Sequence, residues 1–475
     1  MPHRNLLTAN TRKYKGRMTK LTDIASSNKD QTKSVLLISQ LDMLKAGNQL
    51  LFRMIEGYAA AGYKVVFLTS NPASDPNRAD YCELLGPLMS RVAVYRFSPL
   101  FRPLAGLIVR VRNLLLSCRF IPRKAPLIDV ADTVQFDTSA GSSILGLLSW
   151  ISFILGGSLK AIWLARHHKV GLIYGYEIYG APVAWLAARL LRVPLFTKFQ
   201  GTVAFPELEK GRAWLRIPHH LMALKTPSDL VIMENDGTRG KEVLSRLGVA
   251  EEKIRFWVDG VKKEMYIPHF EKRHLLSKLD LGGNSKIVLT LSKLKKWKRV
   301  DRAISAIAQV VREIPNVFLI IVGDGEERGN LENLTQRLGV AKHGRFMGAV
   351  PHDEVQYFLN GCDVFLSLYD HSNLSNPLLE ALECGRCIVT IDDGSTEDLL
   401  TNGHNAILLQ KEKLSEELPN TIISLLLHDK RCLRIAANAR NYAEKYLVSW
   451  EERMAMEIRE IEALVRQKRS LRNRL

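Results

Sequence analysis

The chain has 475 residues, of which 46% are hydrophobic and 24% charged, and this is enough to bury the cores of two domains. Its net charge of +18 favours a polyanionic partner or an anionic surface, so nucleic acid and membrane are both candidates. Among the six cysteines only Cys384 and Cys387, spaced as C-G-R-C, form a close pair in the sequence. A metal site built on such a pair needs a second pair, which the sequence lacks. This argues against such a site and fits reduced thiols in a cytoplasmic protein.

The chain begins with a basic, polar stretch, residues 1–33, which lacks the apolar core of a secretory signal and which we predict to be a mobile tail. From residue 34 the sequence alternates short apolar runs with helical patterns, which is typical of parallel sheets covered on both faces. Strands are predicted in the first half at 35–39, 64–69, 92–97, 170–174, 194–199, 229–233 and 254–258.

Gly47 and Asn48 lie between the first two strands, directly before a helical pattern in which Leu50, Leu51, Met54 and Ile55 recur. A glycine at this place lets the backbone approach a ligand closely, and ligands collect at the carboxyl ends of parallel strands. A simple turn explains the same glycine equally well. Both interpretations stay open.

Two stretches of the first half differ from ordinary surface. Residues 99–124 mix large apolar side chains with six cationic ones and no acidic one, as interfacial segments do. Residues 144–165 are apolar almost throughout and come close to membrane-spanning length, although Lys160 and paired glycines weaken a span. A membrane span, a helix that touches the membrane and a buried helix all stay open for this segment.

The second half repeats the strand and helix alternation. Strands are predicted at 286–292, 317–322, 363–368, 387–391 and 405–409. The strand at 286–292 ends at Lys293, and Lys298 lies five residues later across a turn, so both ammonium groups could reach one diphosphate. Their neighbours Lys295, Lys296 and Arg299 are interpreted as solvated charge.

Residues 363–389 form an apolar strand, a polar turn, a helix and a second apolar strand. We predict Asn376 as the helix N-cap and Pro377 as the first helical residue. The free N–H groups of such a terminus bind phosphate. Glu380, one turn inside the helix, could accept hydrogen bonds from ribose hydroxyls, although a glutamate here also simply complements the helix dipole.

Four segments occur in a distinctive order: SKLKKWKRVDRAISAI at 292–307, IIVGDGEE at 320–327, RFMGAVP at 345–351 and SNPLLEALECG at 375–385. Together they resemble the carboxyl half of the family-4 retaining glycosyltransferases with the GT-B fold, of the bacterial polysaccharide and lipopolysaccharide type. The resemblance is dense over about 170 residues and weaker over the rest of the chain from about residue 34. It implies an α/β fold with two Rossmann-like domains whose parallel sheets face a central cleft.

The resemblance also implies the division of the chain and the roles of individual residues. The domains would be an acceptor-side domain over 34–265, a nucleotide-sugar domain over 266–448, and a last helix over 449–475 that crosses back to the first domain. Catalytic contacts to the diphosphate and donor are implied for Lys293, Lys298 and Glu380. Donor-binding positions, including turn residues whose polar groups suit sugar hydroxyls and phosphate, are Gly47, Asn48, Gly323, Gly348, Asn373, Ser375 and Asn376.

Two positions depart from the family pattern. Gln200 stands where relatives often carry a histidine beside the reacting sugar, followed by Gly201 and Thr202 on the acceptor side; an amide can bind hydroxyls but cannot act as a base near neutral pH. Many relatives carry two glutamates eight positions apart, and the first of these is Ser372 here. The carboxylate contact to the donor sugar is then missing or comes from Asp370, in an active variant subfamily.

We therefore predict a hexosyl-type glycosyltransferase that moves a sugar from a nucleoside-diphosphate sugar to a glycan or lipid-linked acceptor, with retention and without a metal or other cofactor. Its place would be cytoplasmic, peripheral on the inner face of the membrane. A nucleotide-sugar epimerase of the same fold would need acid/base groups in the first domain's cleft, where the sequence offers no such set. A basic nucleic-acid-binding protein is favoured only by the charge.

Overall fold

The computed structural model describes residues 33–41, 49–70, 86–97 and 144–472, and these form two compact units. The amino-terminal unit contains the described residues up to Asn235, together with Arg239–Trp257 and the chain from Glu451 onward. The carboxyl-terminal unit contains Asp236–Thr238 and Val258–Trp450. Each unit is built on one parallel sheet, which confirms the predicted fold class.

The sheet of the amino-terminal unit has seven parallel strands in the order β3-β2-β1-β4-β5-β6-β7. The strands are β1 Ser34–Ser39, β2 Lys64–Thr69, β3 Val92–Arg96, β4 Leu172–Tyr176, β5 Leu195–Phe199, β6 Leu230–Glu234 and β7 Ile254–Trp257. All seven strands were predicted, because each is a short buried apolar run between helical patterns. The helices are α1 Gln49–Ala60, α2 Ile144–His167, α3 Glu177–Leu191, α4 Ala204–Glu209, α5 Ala213–Arg216, α6 Pro218–Leu224 and α7 Gly240–Arg246.

The sheet of the carboxyl-terminal unit has six parallel strands in the order β10-β9-β8-β11-β12-β13. The strands are β8 Lys286–Leu291, β9 Val317–Val322, β10 Gly344–Gly348, β11 Val364–Ser367, β12 Cys387–Asp392 and β13 Ile407–Gln410. The sequence analysis predicted no strand at β10, because this edge strand is only half-buried and carries no apolar run. The helices are α8 Lys272–Lys278, α9 Val300–Glu313, α10 Arg328–Arg337, α11 His352–Gly361, α12 Asn376–Glu383, α13 Leu414–Leu427 and α14 Asp429–Tyr446.

A last helix, α15 Trp450–Arg472, packs on the amino-terminal unit. Glu457 of this helix accepts a hydrogen bond from Tyr174 at 2.8 Å and one from Lys198 at 3.1 Å. One turn later Glu462 accepts hydrogen bonds from Lys33 at 2.7 Å and from Tyr63 at 2.9 Å. The helix is thus fixed to strands β4 and β5 and to the residues that directly precede strands β1 and β2.

Helix α2 covers the segment whose environment the sequence left open. One face is buried, with Phe153 and Leu164 in the core, and Gly157 lies so close to Phe97 and Val183 that a Cβ there would be 2.9 Å from the Phe97 ring. The opposite face carries four exposed apolar residues, spaced four apart, that we call the apolar stripe: Ile151 38%, Leu155 48%, Leu159 70% and Trp163 51% exposed. None of the helices within the described ranges combines the length and hydropathy needed to cross a bilayer. The basic stretch 99–124 and residues 1–32 of the predicted tail lie outside the described residues.

The close cysteine pair lies inside the carboxyl-terminal unit. Cys384 is 0% and Cys387 1% exposed. Burial raises the pKa of the Cys384 thiol, so this side chain stays protonated. Both act as small apolar side chains of the core, in agreement with the sequence interpretation.

Candidate functional site

The predicted phosphate-binding corner lies in the carboxyl-terminal unit, where strand β11 leads through the turn at 368–375 into helix α12. The N-cap is Ser375 and not Asn376, so the prediction was one residue late. Ser375 has an extended backbone, and its carbonyl oxygen accepts the first helical hydrogen bonds from Leu378 at 2.9 Å and Leu379 at 3.1 Å. Asn376 and Pro377 are therefore the first two helical residues, and the proline is tolerated because the N–H groups of the first turn have no helical partner.

Asn373 fastens the turn before this helix. Its side-chain oxygen accepts a hydrogen bond from the Tyr369 N–H at 3.1 Å, and its amide nitrogen donates to Asp393 at 3.0 Å. The residue is completely buried. Its side chain thus holds the turn in shape, and the neighbouring Ser372 adopts the left-handed conformation with φ +60°.

Lys298 lies beside this turn in an aromatic cage formed by Trp297 and Tyr369. Its ammonium nitrogen is 4.1 Å from the centroid of the Trp297 ring and 3.7 Å from that of the Tyr369 ring. The rings themselves stand edge to face, with centroids 6.1 Å apart. Rings attract a cation but do not neutralise it. Burial, which the charge of Asp236 only partly offsets, lowers the pKa of Lys298 to about 7.

Lys293, the other predicted diphosphate ligand, follows strand β8 and is exposed. The backbone bends sharply here, since the Lys295 N–H donates to the Lys293 carbonyl at 2.8 Å. The two lysines predicted to act together thus have different environments. One is caged, and the other is hydrated.

Asp370 does not offer a free carboxylate to a donor sugar. Its Oδ1 atom is 2.7 Å from Arg302, 3.3 Å from Arg299 and 3.5 Å from Lys411. Burial favours the neutral acid, but Arg302, Arg299 and Lys411 outweigh burial and lower the pKa of Asp370. This carboxylate instead fastens the start of helix α9, which follows directly after the caged lysine. These contacts do not support the hypothesis that Asp370 replaces the missing family carboxylate.

Glu380 is nearly buried one turn inside helix α12, and it has a partner that the sequence did not indicate. Its Oε1 atom lies 2.9 Å from Nε2 of His352, the first residue of helix α11. His352 follows Gly348 by four residues, so this contact joins the predicted ribose ligand to the segment after another predicted donor-binding residue.

Gly323 and Gly348 lie side by side at the ends of β9 and β10. The Gly323 N–H donates to the Gly348 carbonyl at 2.8 Å, and the two backbones form a bridge. Gly323 has φ +129°, and a Cβ there would lie 1.9 Å from the Ser292 carbonyl oxygen. Only glycine fits this position.

The predicted acceptor-side residues lie in the amino-terminal unit, after strand β5. The Gln200 N–H donates to the Glu177 carboxylate at 2.7 Å, and Thr202 accepts a hydrogen bond from the Ala204 N–H at 3.1 Å. Gly201 lies between them with φ +151°. Glu177 itself has φ +63°, so two irregular backbone positions meet at the ends of β4 and β5. Gly47 and Asn48 lie outside the described residues.

Sequence reasoning missed the cage, His352 and Asp236. Trp297 could have been noticed, because it stands between two lysines in a basic turn. The other contacts join residues distant in the sequence, so no local pattern indicates them. Within the described residues there is no group of three or more histidines, cysteines or carboxylates that could hold a metal ion.

Comparison with known proteins gives both a family match and structural neighbours. Residues 271–442 match the family model described as glycosyl transferases group 1. The chain is 31% identical over 133 residues to the lipopolysaccharide core biosynthesis glycosyltransferase LpsE of Rhizobium meliloti, which covers 28% of this chain and 37% of LpsE. It is 23% identical over 279 residues to the sulfoquinovosyl transferase SQD2 of Arabidopsis thaliana, covering 57% of this chain and 52% of SQD2. The chain thus spans about half or less of the length of these relatives.

Solved structures match over nearly the whole chain. The HepE structure from Anabaena, in complex with UDP and glucose, has a TM-score of 0.65 and 19% identity, covering 91% of this chain and 99% of HepE. The structure of WaaG, a glycosyltransferase involved in lipopolysaccharide biosynthesis, has a TM-score of 0.59 and 15% identity, covering 90% of this chain and 99% of WaaG. These structures establish the GT-B fold, and the family model and relatives support a glycosyltransferase of group 1.

Proposed function

We propose that this chain is a retaining glycosyltransferase of family 4 that moves a hexose-type sugar from a nucleoside-diphosphate sugar to an acceptor hydroxyl. The observation that carries the proposal is the caged Lys298 ammonium, which lies beside the turn leading into helix α12. A desolvated ammonium group held by rings calls for an anionic ligand. The family match over 271–442 includes both features.

The reaction would break the bond between the sugar C1 and the diphosphate oxygen and form a bond between C1 and the acceptor oxygen. Negative charge develops mainly on the departing diphosphate. Lys298, Lys293 and the N–H groups at the start of α12 would stabilise it, and a preorganised contact of this type contributes about 3 kcal/mol to lowering the barrier. Retention implies attack from the leaving-group face, and an oxygen of the diphosphate would take the acceptor proton. We propose that these cations replace a metal ion.

The donor's nucleoside would lie along Glu380 and the Gly348 loop. Glu380 would accept hydrogen bonds from the ribose hydroxyls, and its contact with His352 would hold its carboxylate in place. The backbone of the Gly348 loop would face the base. On the acceptor side, Gln200 could bind a sugar hydroxyl through its amide but could not accept the proton near neutral pH.

We propose further that the acceptor is lipid-linked and that the protein docks on an anionic membrane surface. The apolar stripe on α2 presents four large side chains on one helix face, and the helix carries Lys160 and Arg166 but no acidic residue. Lys160 lies over the Trp163 ring at 4.3 Å, so a cation accompanies the apolar surface. The names of LpsE and WaaG, which refer to lipopolysaccharide, support a product of the polysaccharide or lipopolysaccharide class.

A panel of nucleoside-diphosphate sugars tests the donor proposal. One or a few of them should raise the melting temperature and be hydrolysed slowly without an acceptor. Lys298→Ala should abolish both effects, whereas Lys296→Ala, at an exposed lysine two residues away, should retain them. Equal responses of the two variants, or no response of the wild type to any donor, would contradict the proposal.

Vesicle sedimentation tests the membrane proposal. The protein should sediment with anionic vesicles more than with neutral ones, and salt should weaken this binding because exposed charges are screened. Leu159→Glu should reduce binding at least threefold. Leu433→Glu, at a comparably exposed leucine (67%) of the carboxyl-terminal unit, is the matched control. Equal sedimentation of both variants would refute docking through the apolar stripe.

A further inference from the structure

A three-residue segment, Asp236–Thr238, leaves the end of strand β6 and belongs by its contacts to the carboxyl-terminal unit. The Leu374 N–H donates to the Asp236 carbonyl at 3.0 Å. Gly237 has φ +90°, and a Cβ there would lie 3.0 Å from the backbone nitrogens of both Asn373 and Leu374. The segment is thus pressed against the turn that precedes helix α12, and its central residue must be glycine.

The carboxylate of Asp236 is held in place from three sides. The Thr238 hydroxyl donates to its Oδ1 atom at 2.6 Å and the Thr238 N–H at 3.1 Å. The Ser372 hydroxyl is also hydrogen-bonded to it. Asp236 is therefore fixed against the turn that precedes helix α12. The reaction described above gives it no role.

Asp236 and the caged ammonium are held on the same turn, since the ammonium lies 3.7 Å from the Tyr369 ring and Asp236 is hydrogen-bonded to Ser372 and Leu374 a few residues later. The negative charge of Asp236 accordingly raises the pKa of Lys298. Apart from the attraction of the two rings, no other group named around that ammonium helps to keep it charged. Lys295 repels it, and the Tyr369 hydroxyl donates a hydrogen bond to the Leu291 carbonyl at 2.9 Å. Burial raises the pKa of Tyr369 to about 12, so its phenol stays neutral. Burial likewise raises the pKa of Asp236 to about 6, despite the hydrogen bonds from Thr238 and Ser372.

We propose that Asp236 is a positioning residue for Lys298: fixed on the turn at 372–374, its carboxylate keeps the caged ammonium charged, so that a diphosphate can bind to it. The part that concerns the diphosphate rests on the proposed function. The part that concerns the charge of Lys298 does not. It follows from one carboxylate, two rings and one repelling lysine around a single ammonium group.

Chemical labelling tests the charge of Lys298 without any nucleotide. Acetic anhydride acylates only a neutral amine, so the acylation rate of Lys298, measured against pH by peptide mass spectrometry, reports its neutral fraction. Asp236→Asn should raise this rate at least threefold at about pH 6.5, which corresponds to a fall of about one unit in the midpoint of titration. Lys293, exposed in the same protein, is the internal control and should keep its profile.

Asp236→Glu separates charge from shape. It disturbs the packing but keeps the carboxylate, so it should restore the wild-type midpoint. A purely structural role would make both variants label alike. Superimposable profiles for the wild type and Asp236→Asn would overturn the proposal.

Binding of UDP, ADP and GDP then tests the link to the donor. For the nucleotide that binds the wild type best, Asp236→Asn should weaken affinity at least tenfold at pH 8 and at most threefold at pH 6. In a Lys298→Arg background this pH-dependent loss should disappear, because arginine stays charged throughout. A loss that is equal at both pH values would refute the proposal. No binding of any nucleotide to the wild type, with the labelling shift present, would refute the proposed function and leave the Asp236 inference standing.

Discussion

Each unit of the molecule shields a lysine from water, Lys198 fully and Lys298 in part, and the two lysines have opposite surroundings. In the amino-terminal unit, Lys198 is 1% exposed and lies 3.1 Å from Glu457 and 3.3 Å from Glu234. In the carboxyl-terminal unit, the Lys298 ammonium has two aromatic rings around it and only the nearby charge of Asp236. No described carboxylate forms an ion pair with Lys298.

The difference separates a lysine that serves the fold from one that serves a ligand. Lys198 is satisfied by the chain itself, and its pairing with Glu457 joins strand β5 to helix α15. Lys298 is desolvated without being neutralised, which costs stability and leaves its charge for an external anion. Burial of a lysine alone does not mark a site. The nature of its neighbours does.

The largest effect on stability should come from Lys198→Met. It leaves Glu457 and Glu234 buried without their shared cation, and breaking such a network costs about 3–5 kcal/mol. The thermal unfolding transition of the amino-terminal unit should fall by several degrees. The double variant Lys198→Met/Glu457→Gln should recover part of the loss, because it removes one of the two buried carboxylates that the single variant leaves without Lys198. An unchanged transition in the single variant would mean that Lys198 is not a structural cation.

Lys298→Ala should have the opposite profile, with a large effect on activity and none on folding. Loss of one preorganised cation at the leaving group should lower turnover about 100- to 1000-fold, which is about 3–4 kcal/mol. The melting temperature should stay level or rise. The pKa of Lys298 is lowered from 10.5 to about 7, so between these two values the unfolded chain binds more protons than the folded one. The residue therefore destabilises the fold most below about pH 7, and this effect disappears as the pH rises above 10.5. Turnover within a few-fold of wild type would show that Lys298 does not stabilise the leaving group.

Glu380→Gln should give an intermediate effect. It replaces charge-assisted hydrogen bonds to the ribose by neutral ones, which should weaken nucleotide binding about tenfold. Calorimetry with the nucleotide that binds best measures this directly. His352→Ala is the companion variant, and it should weaken binding less, since it only removes the group that orients Glu380. If Glu380→Gln leaves the affinity unchanged, this carboxylate is merely the partner of His352.

Much of the fold follows from local sequence patterns. The central strands are buried apolar runs, and the spacing of Leu50, Leu51, Met54 and Ile55 predicted one face of helix α1, where all four are buried. Strand β10 was missed because an edge strand buries little, and the α12 cap was displaced by one residue because Ser375 and Asn376 are both good caps. These errors are local and small.

The site was harder to predict, for a physical reason. Lys298 was identified through its place in a family pattern, but the pattern could not show that Tyr369 completes a cage or that Asp236 is fixed on the same turn. Such contacts are made only when segments distant in the sequence come together. For the same reason Asn373, which looked like a donor ligand, has its side chain engaged in holding the turn.

The smallest effect should come from Lys293→Ala, and it completes the series from a paired to a caged to an exposed lysine. An exposed ammonium acts through water, so its removal should cost about 1 kcal/mol, or about fivefold in kcat/KM. Its contribution should also vanish as salt rises, because the screening length falls to about 3 Å at 1 M. The wild type and Lys293→Ala should therefore converge in high salt, whereas Lys298→Ala should stay far below both. Measuring kcat/KM of the three proteins from 0.05 to 1 M salt makes the comparison. If Lys293→Ala is as inactive as Lys298→Ala at every salt concentration, the exposed lysine moves into the site when the donor binds, and its exposure in this structure does not predict its role.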